Sequence, residues 1–299
     1  MVSSSNHRDR KLIFDIGLHN GDDAAYYLAL GNRVVGVEAN PLLAAACTTR
    51  FSAEIEQGRM TVINSGLLEQ PGSFTFYRNL QDDGWSSFQP EKGRKDGPWE
   101  EIVIPCVTTR QLIEDHGKPF FMKVDIEGAD LQALASLTPD IAPAYVSLEL
   151  SYDDPILEKL IELGYTAFKF VNGETYWPTP PIFEHQIGWR VLRKIGRVMP
   201  IVRRAIGKLP LRFRPNSEYD PPGKYSPDGY EFGAYSSGPF GEQAAGSWLN
   251  ADAALRWFGR LKENYRVTGT EGALWWDVHA RHISYTADVL TVSELYSTV

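Results

Sequence analysis

The stretch Phe14-Asp15-Ile16-Gly17-Leu18-His19-Asn20-Gly21, read together with Glu38 further along, decides the fold. The apolar run Leu12, Ile13, Phe14 leads into it, and a helix-like segment from Asp22 to Leu30 follows. A second apolar run, Val34 to Val37, ends on the acid Glu38. The order strand, glycine turn, helix, strand, acid is that of a nucleoside-binding α/β unit. Gly17 lets the chain turn sharply off the strand end, and Gly21 lets a ligand come close to the backbone. Glu38 stands where a ribose can donate two hydrogen bonds. Asp15, Gly17, Gly21 and Asn40 are expected to line the pocket. The glycines are spaced Gly17-x-x-x-Gly21, which is not the G-x-G-x-x-G of dinucleotide sites. A zwitterionic sulfonium ligand brings no pyrophosphate to place on a helix N-terminus, so S-adenosylmethionine is preferred to NAD.

Length and composition bound the rest. The 299 residues suffice for one large α/β domain with an elaboration, and 43% hydrophobic content supports a real core. A net charge of −8 argues against broad nucleic-acid binding. Cys47 and Cys106 lie in apolar contexts without partner spacing and read as reduced core residues of a cytoplasmic protein. Residues 1–10 are polar and read as a flexible tail, neither signal peptide nor anchor. No run is long enough to span a bilayer.

Along the chain, Asn40-Pro41 supplies an N-cap and a first-turn proline for a helix running to about Gln57, where Gly58 stops it. Met60 to Ile63 reads as a strand ending in Asn64-Ser65-Gly66. Ser73 to Tyr77 alternates and reads as a hairpin strand, and Ile102 to Val107 as another. Between them, Asp82-Asp83-Gly84-Trp85-Ser86-Ser87-Phe88 is either a plain surface turn or a loop draped over the cofactor. Phe120 to Gly128 reads as a strand carrying Lys123, Asp125 and Glu127 on one face. Three charges there are costly to bury without a partner or ligand. Strands at Tyr145–Leu150 and Tyr165–Val171 flank a helix at Pro155–Leu163. The alternation over residues 11–171 predicts a mostly parallel, doubly wound sheet.

Beyond that core the character changes. Residues 185–214 hold nine Lys or Arg and no acid, mixed with apolar residues. The segment reads as a solvated helical lid, as a surface for anionic membrane lipid, or as a recognition element for an acidic substrate. Ala251 to Glu263 reads as a helix with Ala254, Leu255, Phe258 and Leu261 inward, and Trp257 beside that stripe. Ala273 to His279 reads as a last strand returning to the sheet. Residues 172–272 then form one long substrate-side excursion, and 273–299 complete the core.

Four stretches together resemble the FkbM family of methyltransferases. Asp15-Ile16-Gly17-Leu18-His19-Asn20-Gly21 is similar to the family's D-[VI]-G-A-N-x-G, and Val37-Glu38-Ala39-Asn40-Pro41 to its F-E-P-N-P. Ser86-Ser87-Phe88 is similar to its Ser-Ser-Leu element. Lys123-Val124-Asp125-Ile126-Glu127-Gly128-Ala129-Asp130 is similar to K-I-D-V-E-G-A-E, the most specific of the four. His19 departs from the usual Asn, and Ala39 from the usual Pro. The resemblance covers about residues 12–170. It implies a class I methyltransferase: a Rossmann-like, mostly parallel seven-stranded sheet with an antiparallel last strand, and a large insertion before that strand. It also implies S-adenosylmethionine as cofactor and a sugar, glycan or natural-product hydroxyl as acceptor.

The expected reaction is O-methylation by in-line displacement, with a positioned base to help a weak hydroxyl nucleophile. Asp125 is the first choice, with Glu127, Glu149 and Asp153 as alternatives and Lys123 fixing Asp125. His19, Asn20, Ala39 and Asn40 join Asp15, Gly17, Gly21 and Glu38 around the cofactor, with Ser65 and Ser87 reaching its adenine or carboxylate side. His185 and His279 are further base or ligand candidates, though a lone His is more often a packing residue. A divalent metal on Asp125 and Glu127 is compatible with the sequence but not required by it. An NAD-linked oxidoreductase and a catalytically silent nucleoside-binding module are the rival readings.

Overall fold

The computed structural model describes residues 10–150, 155–178, 223–268 and 276–285. The main sheet is built from β1 (Leu12–Ile16), β2 (Arg33–Glu38), β3 (Met60–Asn64), β7 (Phe121–Val124), β8 (Tyr145–Glu149), β9 (Tyr165–Asn172), β10 (Leu249–Asn250) and β11 (Trp276–His282). Their spatial order is β10-β9-β11-β8-β7-β1-β2-β3. β1, β2, β3, β7 and β8 run parallel, whereas β11 lies antiparallel between β8 and β9. The expected class I sheet is present. It carries eight strands rather than seven, because β10 adds two antiparallel residues on β9. A two-residue edge strand leaves no periodicity to read.

A separate three-stranded sheet holds β4 (Gly66–Leu67), β5 (Gly72–Asn79) and β6 (Trp99–Val107). The strand read over Ser73–Tyr77, expected to pair with nearby residues, pairs instead with the strand read over Ile102–Val107, antiparallel along its length. They stand beside the main sheet, and the loop between them carries Asp82 to Phe88.

Helices α1 (Asp22–Ala29), α2 (Pro41–Arg50), α5 (Thr109–His116), α6 (Asp130–Ala135) and α7 (Ile156–Glu162) connect or flank the strands, with short α3 (Ser52–Glu56) and α4 (Pro90–Gly93). Asn40 caps α2 through Leu42 N–H, with Pro41 at its first position. Thr108 and Gln111 form a capping box on α5. The helix expected over residues 41–57 is two helices, broken at Phe51 (φ −103°, ψ 21°). Phe51 is buried, and its ring lies where a side chain on Gly21 would sit. Burial of that ring against the glycine turn outweighs helix continuity.

α8 (Ala251–Thr268) lies in the expected excursion, yet it packs on the main sheet. Ala254, Phe258 and Leu261 are buried as the spacing predicted. Trp257 is buried too, stacked on Phe170 at 4.1 Å between ring centres. The principal core contains these residues together with Val124, Val146, Leu148, Phe168, Val278 and Ala280. Cys47 and Cys106 are both buried and free. Among the described residues, no helix is long and apolar enough to cross a membrane. The tail 1–9, the basic segment 185–214, Asp153 and His185 lie outside the described residues.

Gly17 is the tightest point of the frame. Its φ is +83°, and a Cβ added there would stand 1.8 Å from the Asp125 carbonyl oxygen. Backbone rather than a side chain blocks the space, so nothing can yield cheaply. Gly17→Ala is expected to lower unfolding stability by about 3 kcal/mol or more, read from urea denaturation. A loss below about 1 kcal/mol would show that the β1 and β7 ends can separate.

Candidate active site

Strand order reverses about β1, which has β2 on one side and β7 on the other. Ligands of open α/β sheets sit outside the carboxyl ends of the strands at such a switch point. A cavity of about 380 Å³ lies there. Ile16 and Gly17 enter it from the β1 end, Val37 and Glu38 from β2, Lys123 from β7 and Glu149 from β8. The loop Asp82–Ser86 and Phe88 close one side, so the loop is more than a plain surface turn. Tyr235 closes another.

Glu38 is held by the turn it was expected to complement. Its Oε2 accepts from His19 N–H at 2.8 Å and its Oε1 from Asn40 N–H at 2.7 Å. Gly17 and Leu18 N–H both donate to Val37 O at 3.0 Å. The glycine turn is therefore folded around the end of β2. Burial raises the Glu38 pKa, and the two amides work against that rise. A carboxylate has about four acceptor positions, so the two amides leave capacity for a ligand's hydroxyls.

Lys123 is buried on β7. Its Nζ lies 3.0 Å from Asp23, 3.4 Å from Asp125 and 3.7 Å from Asp15. Burial opposes its charge, but Asp23, Asp15 and Asp125 outweigh that and hold its pKa well above the ordinary range. Asp15 is wholly buried, with no hydrogen bond to either carboxylate oxygen. Burial pushes its pKa up, and Lys123 works against that rise. Asp23, the nearest counter-ion, was not singled out from sequence. It lies in the first turn of α1, where an acid ordinarily reads as a helix-dipole residue.

The charged strand end differs from the expectation. β7 stops at Val124, and Glu127 and Gly128 both have positive φ, +48° and +91°. Asp125 and Glu127 thus project from a turn, not from one strand face. They still converge: Asp125, Glu127 and Glu149 each bring a carboxylate oxygen within 4.8 Å of the others. Burial first, then Asp125, pushes Glu127 up to about 7 and Glu149 up to about 9. Lys92 pairs with Glu127 at 3.4 Å.

Of the residues expected around a cofactor, Gly17, His19, Glu38, Ala39, Ser65 and Asp125 line the cavity, and Asp15, Asn20, Gly21, Asn40 and Ser87 do not. Asp15 is sealed beneath the turn. Asn20 bonds to Asp22, and Gly21 gives room to Phe51 rather than to a ligand. Asn40 serves as a helix cap, and Ser87 donates to Glu127 O at 2.7 Å, tying the loop to the β7 turn. Both of these act one step behind the wall. His279 lies on β11 away from the cavity, buried and held near 3 by desolvation, so it is neither base nor ligand in this site. Leu43, Trp85, Ser86, Phe88 and Tyr235 line the cavity without having been named as site residues. Ser86 and Phe88 had a signal in the Ser-Ser-Phe match, whereas Tyr235 had none.

The raised Glu149 carboxyl gives a pH prediction. A folded pKa near 9 against an ordinary 4.5 means the folded state keeps the proton longer. Its contribution to stability is full below about 4.5 and is lost as pH rises through about 9. Glu149→Gln is expected to leave stability little changed at pH 5 and to raise it at pH 9 by roughly a few kcal/mol, read from urea denaturation at both values. An equal effect at the two pH values would remove this account of Glu149.

A family model described as the methyltransferase FkbM domain matches residues 15–167. No curated protein matches the chain. Among solved structures, a methyltransferase FkbM from Methylobacillus flagellatus KT is 19% identical with a TM-score of 0.34, covering 47% of this chain and 32% of that one. This chain therefore spans only that 32% of the Methylobacillus protein. A precorrin-6y C5,15-methyltransferase from Geobacter metallireducens GS-15 is 13% identical with a TM-score of 0.31, covering 56% and 70%. The StiE O-MT, residues 942–1257, is 10% identical with a TM-score of 0.34, covering 95% and 76%. At such scores the fold rests on the strand order, and the family rests on the match over residues 15–167. That match spans just over half of the chain, which belongs to the FkbM methyltransferase family.

Proposed function

We propose that the chain transfers a methyl group from S-adenosylmethionine to a hydroxyl of a sugar, glycan or natural product. The observation that carries this reading is Glu38, pinned by two amides in the wall of a cavity that is also lined by the converging carboxylates of Asp125, Glu127 and Glu149. The residues present suit such a cofactor. About 380 Å³ is within the range of small-ligand sites. Spare acceptor capacity on Glu38 suits a ribose diol. Val37, Leu43, Leu67 and Phe76 offer apolar surface to a base. No arginine is among the described lining residues, and the wall is rich in carboxylates, which disfavours a pyrophosphate.

Bound there, S-adenosylmethionine supplies a methyl already attached to a good leaving group. The protein then has to align the acceptor and manage one proton. Glu127, held near 7, matches the requirement for a base that is partly ionised at neutral pH and strong enough to take a proton. Asp125, pinned beside Lys123, orients the acceptor hydroxyl. Glu149, protonated at pH 7, donates a hydrogen bond rather than accepting a proton. The base role thus moves from Asp125, the first choice on sequence, to Glu127. Acceptor choice in the basic segment 185–214 lies outside the described residues.

Differential scanning fluorimetry with S-adenosylmethionine, S-adenosylhomocysteine and NAD tests the cofactor. Stabilisation by the first two and not the third is expected, and stabilisation by NAD alone would overturn the reading. Glu38→Gln should weaken S-adenosylhomocysteine binding roughly tenfold or more, since a charged acceptor is lost. Labelled-methyl transfer to a panel of hydroxylated glycans and natural products identifies the acceptor class, and the rising limb of its pH–rate profile near 7 should disappear in Glu127→Gln.

A further inference from the structure

Tyr235 comes from far along the chain, yet it lies on the wall of the cavity formed by the first strands. Its ring centre is 4.6 Å from that of His19, at an interplanar angle of 52°. Both rings line the cavity. Tyr235 remains 53% exposed, so it is not there to fill a core. Its neighbours fix it in place. Ser236 Oγ donates to Asp23 Oδ1, and Ser237 N–H donates to the same carboxylate at 3.0 and 3.1 Å. Asp23 in turn is the nearest counter-ion of Lys123. A side chain that carried no packing role would not need an anchor of this kind, so the placement calls for a reason on the cavity side.

The cavity lining is mixed: Leu43, Leu67 and Phe76 are apolar, whereas Glu38, Lys123 and Asp125 are charged. Glu38 holds the backbone of His19, and the tilted ring of Tyr235 packs against the His19 side chain. The described lining carries six acids, Glu38, Asp82, Asp83, Asp125, Glu127 and Glu149. Against them stands Lys123, whose ammonium is already shared by three carboxylates. Burial, and then Lys123, lower the pKa of the His19 ring, so the imidazole is neutral at pH 7 and does not repel a cation. A neutral aromatic pair within an acidic wall is an environment that attracts a cation through the ring face and the surrounding charge.

We propose that Tyr235 recognises the positive charge of the bound methyl donor, adding affinity for the sulfonium form that the neutral thioether product does not receive. This rests on the S-adenosylmethionine reading above and assigns one part of that site. A Phe at this position keeps the ring face, and a Leu keeps bulk without it.

Isothermal titration of the full chain with S-adenosylmethionine and with S-adenosylhomocysteine tests the assignment. Tyr235→Leu is expected to weaken the sulfonium ligand by roughly 3- to 30-fold and the thioether by less than about 3-fold. Tyr235→Phe is expected to leave the ratio of the two affinities within about 2-fold of its original value. Equal losses for both ligands would make the ring a packing contact, and no loss would place it outside the site; either overturns the proposal. If the unaltered protein binds neither compound, the cofactor reading itself falls, and that outcome is separate because it does not depend on Tyr235.

Discussion

One ammonium group organises the centre of this molecule. Lys123 Nζ sits where Asp23, Asp125, Asp15 and the Gly17 carbonyl converge. A buried charge without partners would cost several kcal/mol or more, so β7 is built only together with β1 and α1. Each partner comes from a different part of the chain: Asp15 from β1, Asp23 from α1, Asp125 from the turn after β7. Asp125 is left with its carboxylate partly exposed toward the cavity. The interaction that closes the core therefore also aims a functional group.

Two close approaches make this geometry hold. Gly17 lets the β1 turn lie against the backbone of Asp125, and Asp125 N–H donates to Ile16 O at 2.9 Å. Glu38 then ties the other side of the turn to α2 through the amides of His19 and Asn40. Substituting either residue acts on the shape of the whole strand-end platform rather than on a single contact. Variants at Glu38 are therefore best made with Gln, which keeps shape and one acceptor.

What the sequence made legible is what local spacing encodes. The β1 turn, Glu38, the parallel core and the buried stripe of α8 follow from hydrophobic period and glycine position. The turn after β7 was misread as strand because alternation of Lys123, Asp125 and Glu127 mimics period two, while the positive φ of Glu127 leaves no mark on composition. The pocket roles given to Asn20, Gly21 and Asn40 followed from their place in a motif. Asn20 instead accepts from Asp22 N–H, Asn40 caps α2, and Gly21 makes room for Phe51. Asp23 and Tyr235 were beyond reach for a different reason: their partners lie from about one hundred to more than two hundred residues away, and no period connects them.

That distance says something about how the family core is adapted. The motif-bearing half supplies the strand ends and the acids, which are common requirements for holding a nucleoside and moving a proton. The segment around residues 230–245 is then fastened onto α1 by several independent contacts. Tyr26 packs its ring on Tyr230 and Phe232, Asp23 holds Ser236 and Ser237, and Phe240 stacks on Phe121 at 4.3 Å. Lys169 on β9 donates to Gly241 O and Ala244 O from the opposite side. A segment gripped from α1, β7 and β9 at once is a fixed wall, not a loosely tethered cover. Its one residue on the cavity, Tyr235, is therefore presented at a defined place over the strand-end platform.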